Sequence, residues 1–249
     1  GMGLDRFHRQ NQGDDIDIDA AIEAQVEIAS GSFPDEAVYV ESQRHRRDLS
    51  VLVLLDISGS VAQTGTGGAS VHELQRSVSA ALITVLYEVG DRVALYAFHS
   101  QGRTAVHLIP VKRFDDNLDS RVMNRLYSLQ PGAYSRLGAA IRHGSTELIL
   151  RGGTSRKLLV VLSDGLAYDH GYEPAYAAAD VRQALGEARR DGVGCLCLSV
   201  GAETETEVLR RVFGSAAHAM IPHPNQLGKA IGPLFRAALQ AAETQRRVA

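Results

Sequence analysis

The chain has 249 residues, 45% hydrophobic and 22% charged, with a formal charge of -3. That length holds one large α/β domain, with or without an appendage, and a substantial core. No basic excess points to nucleic acid, no run approaches the roughly 18 apolar residues of a membrane helix, and without a charged-then-apolar leader the chain reads as cytosolic.

Gly1-Met2 reads as a tag remnant ahead of a start codon, so the chain is expected to be an excised fragment. Residues 1–48 differ in character from the rest of the chain. Asp14, Asp15, Asp17 and Asp19 are interleaved with isoleucines and lead into AAIEAQVEIASG, a short helix with acids at its start and Gly31 just past its end. The acidic run lacks the central glycine and distal glutamate of an EF-hand loop, so a solvated helix start is the better account. Ser32 to Asp48, with Pro34 and the basic Arg44, Arg46 and Arg47, is expected to pack on the edge of a main domain spanning 49–249.

Val51 to Ser60, VLVLLDISGS, is a run of apolar residues ending in an acid and two spaced hydroxyls. Unbroken Val/Leu without polar alternation suits a strand buried on both faces of a parallel sheet. Asp56 then stands at its carboxyl end, where open α/β sheets bind ligands at the point where strand order reverses. Asp56, Ser58 and Ser60 offer only hard oxygen donors, which suits a divalent cation such as magnesium.

Thr64 to Ser70 is a glycine-rich loop, and Val71 to Val89 carries apolar residues at helical spacing. Arg92 to Phe98 reads as a second strand. Thr104 to Ile109 follows too soon for a parallel crossover and should form an antiparallel hairpin at the sheet edge. Helices are expected at Asp115 to Leu129 and Arg136 to Leu150. A second buried-type strand, Arg156 to Leu162, also ends in an acid, Asp164. Then come a helix (Ala175 to Arg190), a strand (Val193 to Val200), a helix (Glu205 to Phe213), a short strand (Ala216 to Ile221) and a closing helix (Gln226 to Gln240). Alternating strands and helices predict a doubly wound sheet.

Cys195 and Cys197 lie two apart on one predicted strand, which puts both side chains on one face as buried free thiols rather than a disulfide or zinc site. His99, His143, His170, His218 and His223 show no HExxH spacing, so surface or hydrogen-bonded roles are expected of them. Asp56 could serve as the nucleophile of a haloacid-dehalogenase-type phosphohydrolase, but such enzymes carry a second Asp where Ser58 stands. There is no GxSxG elbow, and TGTGG is no P-loop. The chain is not expected to be an enzyme.

DISGS resembles the DxSxS of von Willebrand factor type A (VWA) domains, and LLVVLSDG resembles that family's second acidic loop. PGAYSRLGAAIRH, the Asp169 to Glu173 segment, Phe213-Gly214 and the preamble from Gly13 to Ser50 are similar to the carboxyl-terminal portion of the NorD and CbbO activation proteins, which act with AAA+ ATPases of the MoxR group. The resemblance implies a six-stranded, mostly parallel sheet of order 3-2-1-4-5-6. It also implies a metal-ion-dependent adhesion site (MIDAS). There Ser58 and Ser60 bind the ion directly, Ser135 stands where the family has threonine, and Asp56 and Asp164 hold coordinated waters. The expected ion is magnesium, with manganese or calcium as alternatives. The expected partners are a client protein presenting an acidic side chain and a MoxR-type ATPase, in a chaperone-like activation. A metal-independent interaction domain is the competing reading.

Overall fold

The computed structural model describes residues 48–58, 70–101, 105–132, 136–163, 174–200, 210, 213–214, 216–221 and 226–248. The predicted amino-terminal helix and most of the predicted Glu205 to Phe213 helix lie outside these residues.

Six strands form one sheet: β1 (Leu49–Asp56), β2 (Arg92–Gln101), β3 (Ala105–Lys112), β4 (Arg156–Ser163), β5 (Val193–Val200) and β6 (Ala217–Ile221). Their order is β3-β2-β1-β4-β5-β6. All neighbours are parallel except β2 and β3. The hairpin expected from the short connection is therefore present, with β3 at the edge. The two acid-tipped strands, β1 and β4, are neighbours, with Leu55 opposite Leu162.

Every residue of β1 is buried, as its unbroken apolar run requires. Its side chains alternate between two cores. Val51, Val53 and Leu55 face helices α1 (Val71–Glu88), α2 (Ser120–Tyr127) and α5 (Leu227–Val248), while Leu52 and Leu54 face α3 (Leu137–Arg151) and α4 (Pro174–Arg190). The result is a sheet sandwiched between two helical layers. Gly144 lets α3 come close to β1, since a Cβ there would lie 2.8 Å from Leu54 Cδ1. Cys195 and Cys197 both face the α3/α4 core as free thiols, and burial pushes the Cys195 pKa up to about 12.

Two helix boundaries differ by more than two residues from those predicted. The helix expected from Asp115 starts at Ser120, because Asp116 closes a turn by accepting from the Arg113 N–H (2.9 Å) while Asp119 caps the helix through the N–H groups of Arg121 and Val122. At the other end of the chain, α5 runs to Val248 rather than Gln240. Ala242 is still buried against the core, and the residues beyond it are mostly good helix formers. At the amino end of β1, the carboxylate of Asp48 accepts from both the backbone N–H and the hydroxyl of Ser155. These bonds hold its pKa below the ordinary carboxylate value.

Candidate metal and partner-binding site

Asp56 is the last residue of β1 and only 3% exposed. Burying a carboxylate costs several kcal/mol unless it is hydrogen-bonded or paired. Here the Ser58 N–H donates to Asp56 Oδ1 at 2.8 Å. That bond folds the chain back over its own acid immediately after the strand, so the carboxylate and the Ser58 side chain belong to one turn.

The turn is held from two sides. The Ile57 N–H donates to Phe98 O (3.1 Å), continuing the β1–β2 ladder in which Asp56 is paired with Phe98. On its other side the Gly132 N–H donates to Ile57 O (2.7 Å), and Ser58 and Gly132 form an isolated parallel bridge. Gly132 is pressed against His99, where a Cβ would lie 2.4 Å from the His99 Cβ and Cγ. Only a glycine fits that approach.

Of the five residues expected to hold the ion, Asp56 and Ser58 are thus brought together. Ser60, Ser135 and Asp164 lie outside the described residues. Two segments that lead to them are placed: Gly132, three residues before Ser135, is bonded to the Asp56 turn, and β4, which ends one residue before Asp164, is paired with β1. Among the described residues, no three His, Cys, Asp or Glu side chains come together as a metal centre. A buried carboxylate turned toward a half-buried serine is a hard-oxygen donor set. It fits a magnesium-class ion and does not fit a thiophilic one.

Gly132 is not among the expected site residues. Its local sequence signal is the Pro131-Gly132 pair, at the head of the PGAYSRLGAAIRH run, which marks a turn without saying what the turn touches. The histidines also sort differently from one another. His143 is exposed and His218 Nδ1 is hydrogen-bonded to Ala216 O (2.8 Å), as expected, but the Nδ1 of half-buried His99 is enclosed without a partner. His170 and His223 lie outside the described residues.

A groove of about 630 Å³, lined by Tyr96, Leu108, Pro110, Arg113, Phe114, Glu147 and Arg151 among others, runs between β3 and α3. It is near the amino end of β2, where Arg92 stacks over Phe114 at 5.7 Å, and so lies away from the Asp56 turn. No helix among the described residues is long and apolar enough to cross a membrane.

The sequence model of the von Willebrand factor type A domain matches residues 50–227. Protein NorD of Brucella suis is 31% identical over 235 residues, covering 94% of this chain and 37% of that protein. Protein NorD of Stutzerimonas stutzeri is 34% identical over 224 residues, 88% of this chain and 36% of that one. The chain therefore spans well under half the length of the curated relatives it matches. Among solved structures, BatB from Bacteroides thetaiotaomicron superposes with a TM-score of 0.55 at 16% identity, covering 77% of this chain and 99% of that one. The manganese-loaded TRAP protein of Plasmodium vivax gives 0.53 at 12% identity, covering 75% and 73%. At such identities the structural matches show the fold alone.

Proposed function

This chain belongs to the von Willebrand factor type A domain family, and on that footing we propose that it is a metal-dependent protein-binding module of a NorD- or CbbO-like activation protein. In this reading it works with a MoxR-type AAA+ ATPase to remodel or activate a client enzyme. The observation that carries the proposal is the Asp56 turn, a buried carboxylate at the carboxyl end of the central strand with Ser58 folded over it and Gly132 bonded alongside.

The residues that would hold the ion are Ser58, Ser60 and Ser135 through their hydroxyls, with Asp56 and Asp164 fixing its waters. Bound there, a magnesium-class ion would supply a Lewis-acidic position for an oxygen ligand. Few direct carboxylates would leave that ion most of its charge, which favours an aspartate or glutamate from a partner. The protein's own part is to hold the Asp56 carboxylate in place, through the Ser58 N–H and the surrounding ladder.

Binding rather than turnover is the proposed chemistry. A phosphohydrolase built on Asp56 would want a second acid where Ser58 stands, and a serine hydroxyl is a poor general acid at neutral pH. Calorimetric titration with magnesium and manganese checks the ion, with heat expected from the wild type and none from Asp56→Ala. Equal binding by the two proteins would remove the metal from the proposal. For the partner, capture from native lysate is expected to fail with EDTA and with Ser58→Ala. Capture that survives both, with circular dichroism unchanged, points to a metal-independent surface.

A further inference from the structure

Beside the oxygen-donor site, two histidines face each other on the β2–β3 hairpin, and we propose that His99 and His107 form a second site, for a borderline divalent transition-metal ion such as zinc. His99 follows Phe98, the residue paired with Asp56, so the hairpin presents it at the same edge of the sheet. His107 is directly opposite His99 across the antiparallel ladder. Directly opposed residues project from the same face, with Cβ atoms about 4.5–5.5 Å apart.

Here the ring centres are 5.2 Å apart and the planes are tilted by 33°. Two imidazoles on one tetrahedral ion, each with a nitrogen about 2.0–2.1 Å from it, hold their ring centres roughly 5 Å apart. The hairpin therefore sets the pair at a chelating separation.

Packing alone could also place two rings at that distance. What separates the readings is the state of His99. Among the described residues, the other buried or half-buried histidines commit a ring nitrogen to a carbonyl: His72 Nε2 donates to Leu129 O at 3.2 Å, and His218 Nδ1 is bonded to Ala216 O. His99 Nδ1 is enclosed and has no hydrogen-bond partner, although buried polar atoms are normally satisfied. Burial and the neighbouring His107 both lower its pKa, which keeps the ring neutral, the form that ligates metal.

Imidazole selects zinc, nickel or copper, whereas hydroxyl and carboxylate oxygens select magnesium, so the two sites would not compete for one ion. Among the described residues no third His, Cys, Asp or Glu joins the pair. The remaining coordination positions would go to water or to a group brought by a partner, since exposed His107 lies at the surface.

The test is calorimetric titration of zinc into the whole 249-residue chain, with saturating magnesium present, alongside imidazole NMR. One zinc ion is expected to bind, shifting the ring signals of His99 and His107 together. His107→Ala is expected to weaken binding by about tenfold or more, because even losing an outer-shell partner of a metal ligand commonly costs 10–100-fold. His143→Ala, a change at an exposed single histidine on α3, should leave affinity within about twofold. Zinc affinity unmoved by His107→Ala overturns the proposal. So does zinc binding that disappears with Asp56→Ala while the histidine signals stay still, because the zinc would then be occupying the oxygen site. Failure of the first proposal is read separately, from magnesium binding to Asp56→Ala.

Discussion

Gly132 has no side chain, and the turn that carries Ser58 depends on that. The backbone approaches His99 so closely that any Cβ would meet the fixed root of the imidazole rather than its mobile end. Gly132→Ala is therefore expected to destabilise the fold by about 1–3 kcal/mol, the usual cost of overpacking, and to weaken magnesium binding as Gly132 is pushed off Ile57. Gly186 is the control. It lies inside α4 with open space where a Cβ would stand, nothing coming within 4 Å, so Gly186→Ala should stabilise by about 0.5–1 kcal/mol. Urea midpoints that move the same way for both variants would show that Gly132 is not sterically constrained. At this scale the sequence is only partly legible. Asp56 and Ser58 are readable because they sit in one short motif after one strand. Gly132 and the His99–His107 pair are set by contacts across strands, and local spacing carries no trace of those.

Elements are easier to read than their ends. The strands are recognisable as apolar runs, and α1 by its period, because burial on one or two faces leaves a pattern along the chain, but β2 runs on to Gln101 and β3 to Lys112, past the expected ends at Phe98 and Ile109. The start of α2 is misplaced by the pattern because Asp115, Asp116 and Asp119 are all plausible caps. Only the turn closed by Asp116 leaves Asp119 as the one that caps the helix. Asp119→Ala should cost about 1 kcal/mol in chemical denaturation, and Asp115→Ala, at an exposed residue, far less. The β1–α3 contact makes a stronger test. Leu54 packs beneath Gly144, and Leu54→Ala is expected to cost about 2–5 kcal/mol. A loss below about 1 kcal/mol would mean that α3 collapses onto the gap.

For the whole molecule, the strand order follows from the family resemblance together with the hairpin. The pattern of apolar runs says how many strands there are without saying which are neighbours. Stability against pH is a property no single motif shows. Lys112 is buried, with Nζ donating to Val93 O at 2.8 Å and Arg113 O at 3.0 Å, and burial lowers its pKa from 10.5 to about 8. Above about pH 8 the folded chain has released a proton that the unfolded chain still binds, so stability rises with pH there. The buried thiols act oppositely. Unfolded cysteines ionise near 9.0 while folded Cys195 and Cys197 stay protonated, which lowers stability beyond that point. Urea midpoints should therefore climb between about pH 8 and 9 and flatten or fall above it, and Lys112→Met should lose the climb. The position of β1 has a mechanical consequence as well. It is paired at seven positions with β2 and at seven with β4, both parallel to it. A pull applied at Asp48 against an anchor at the Asp56 end runs along the strand, across its hydrogen bonds, and so loads both ladders in shear, where the bonds share the force instead of unzipping one at a time. In single-molecule stretching along that axis, the domain should resist far higher forces than when β6 is peeled from the end of the sheet.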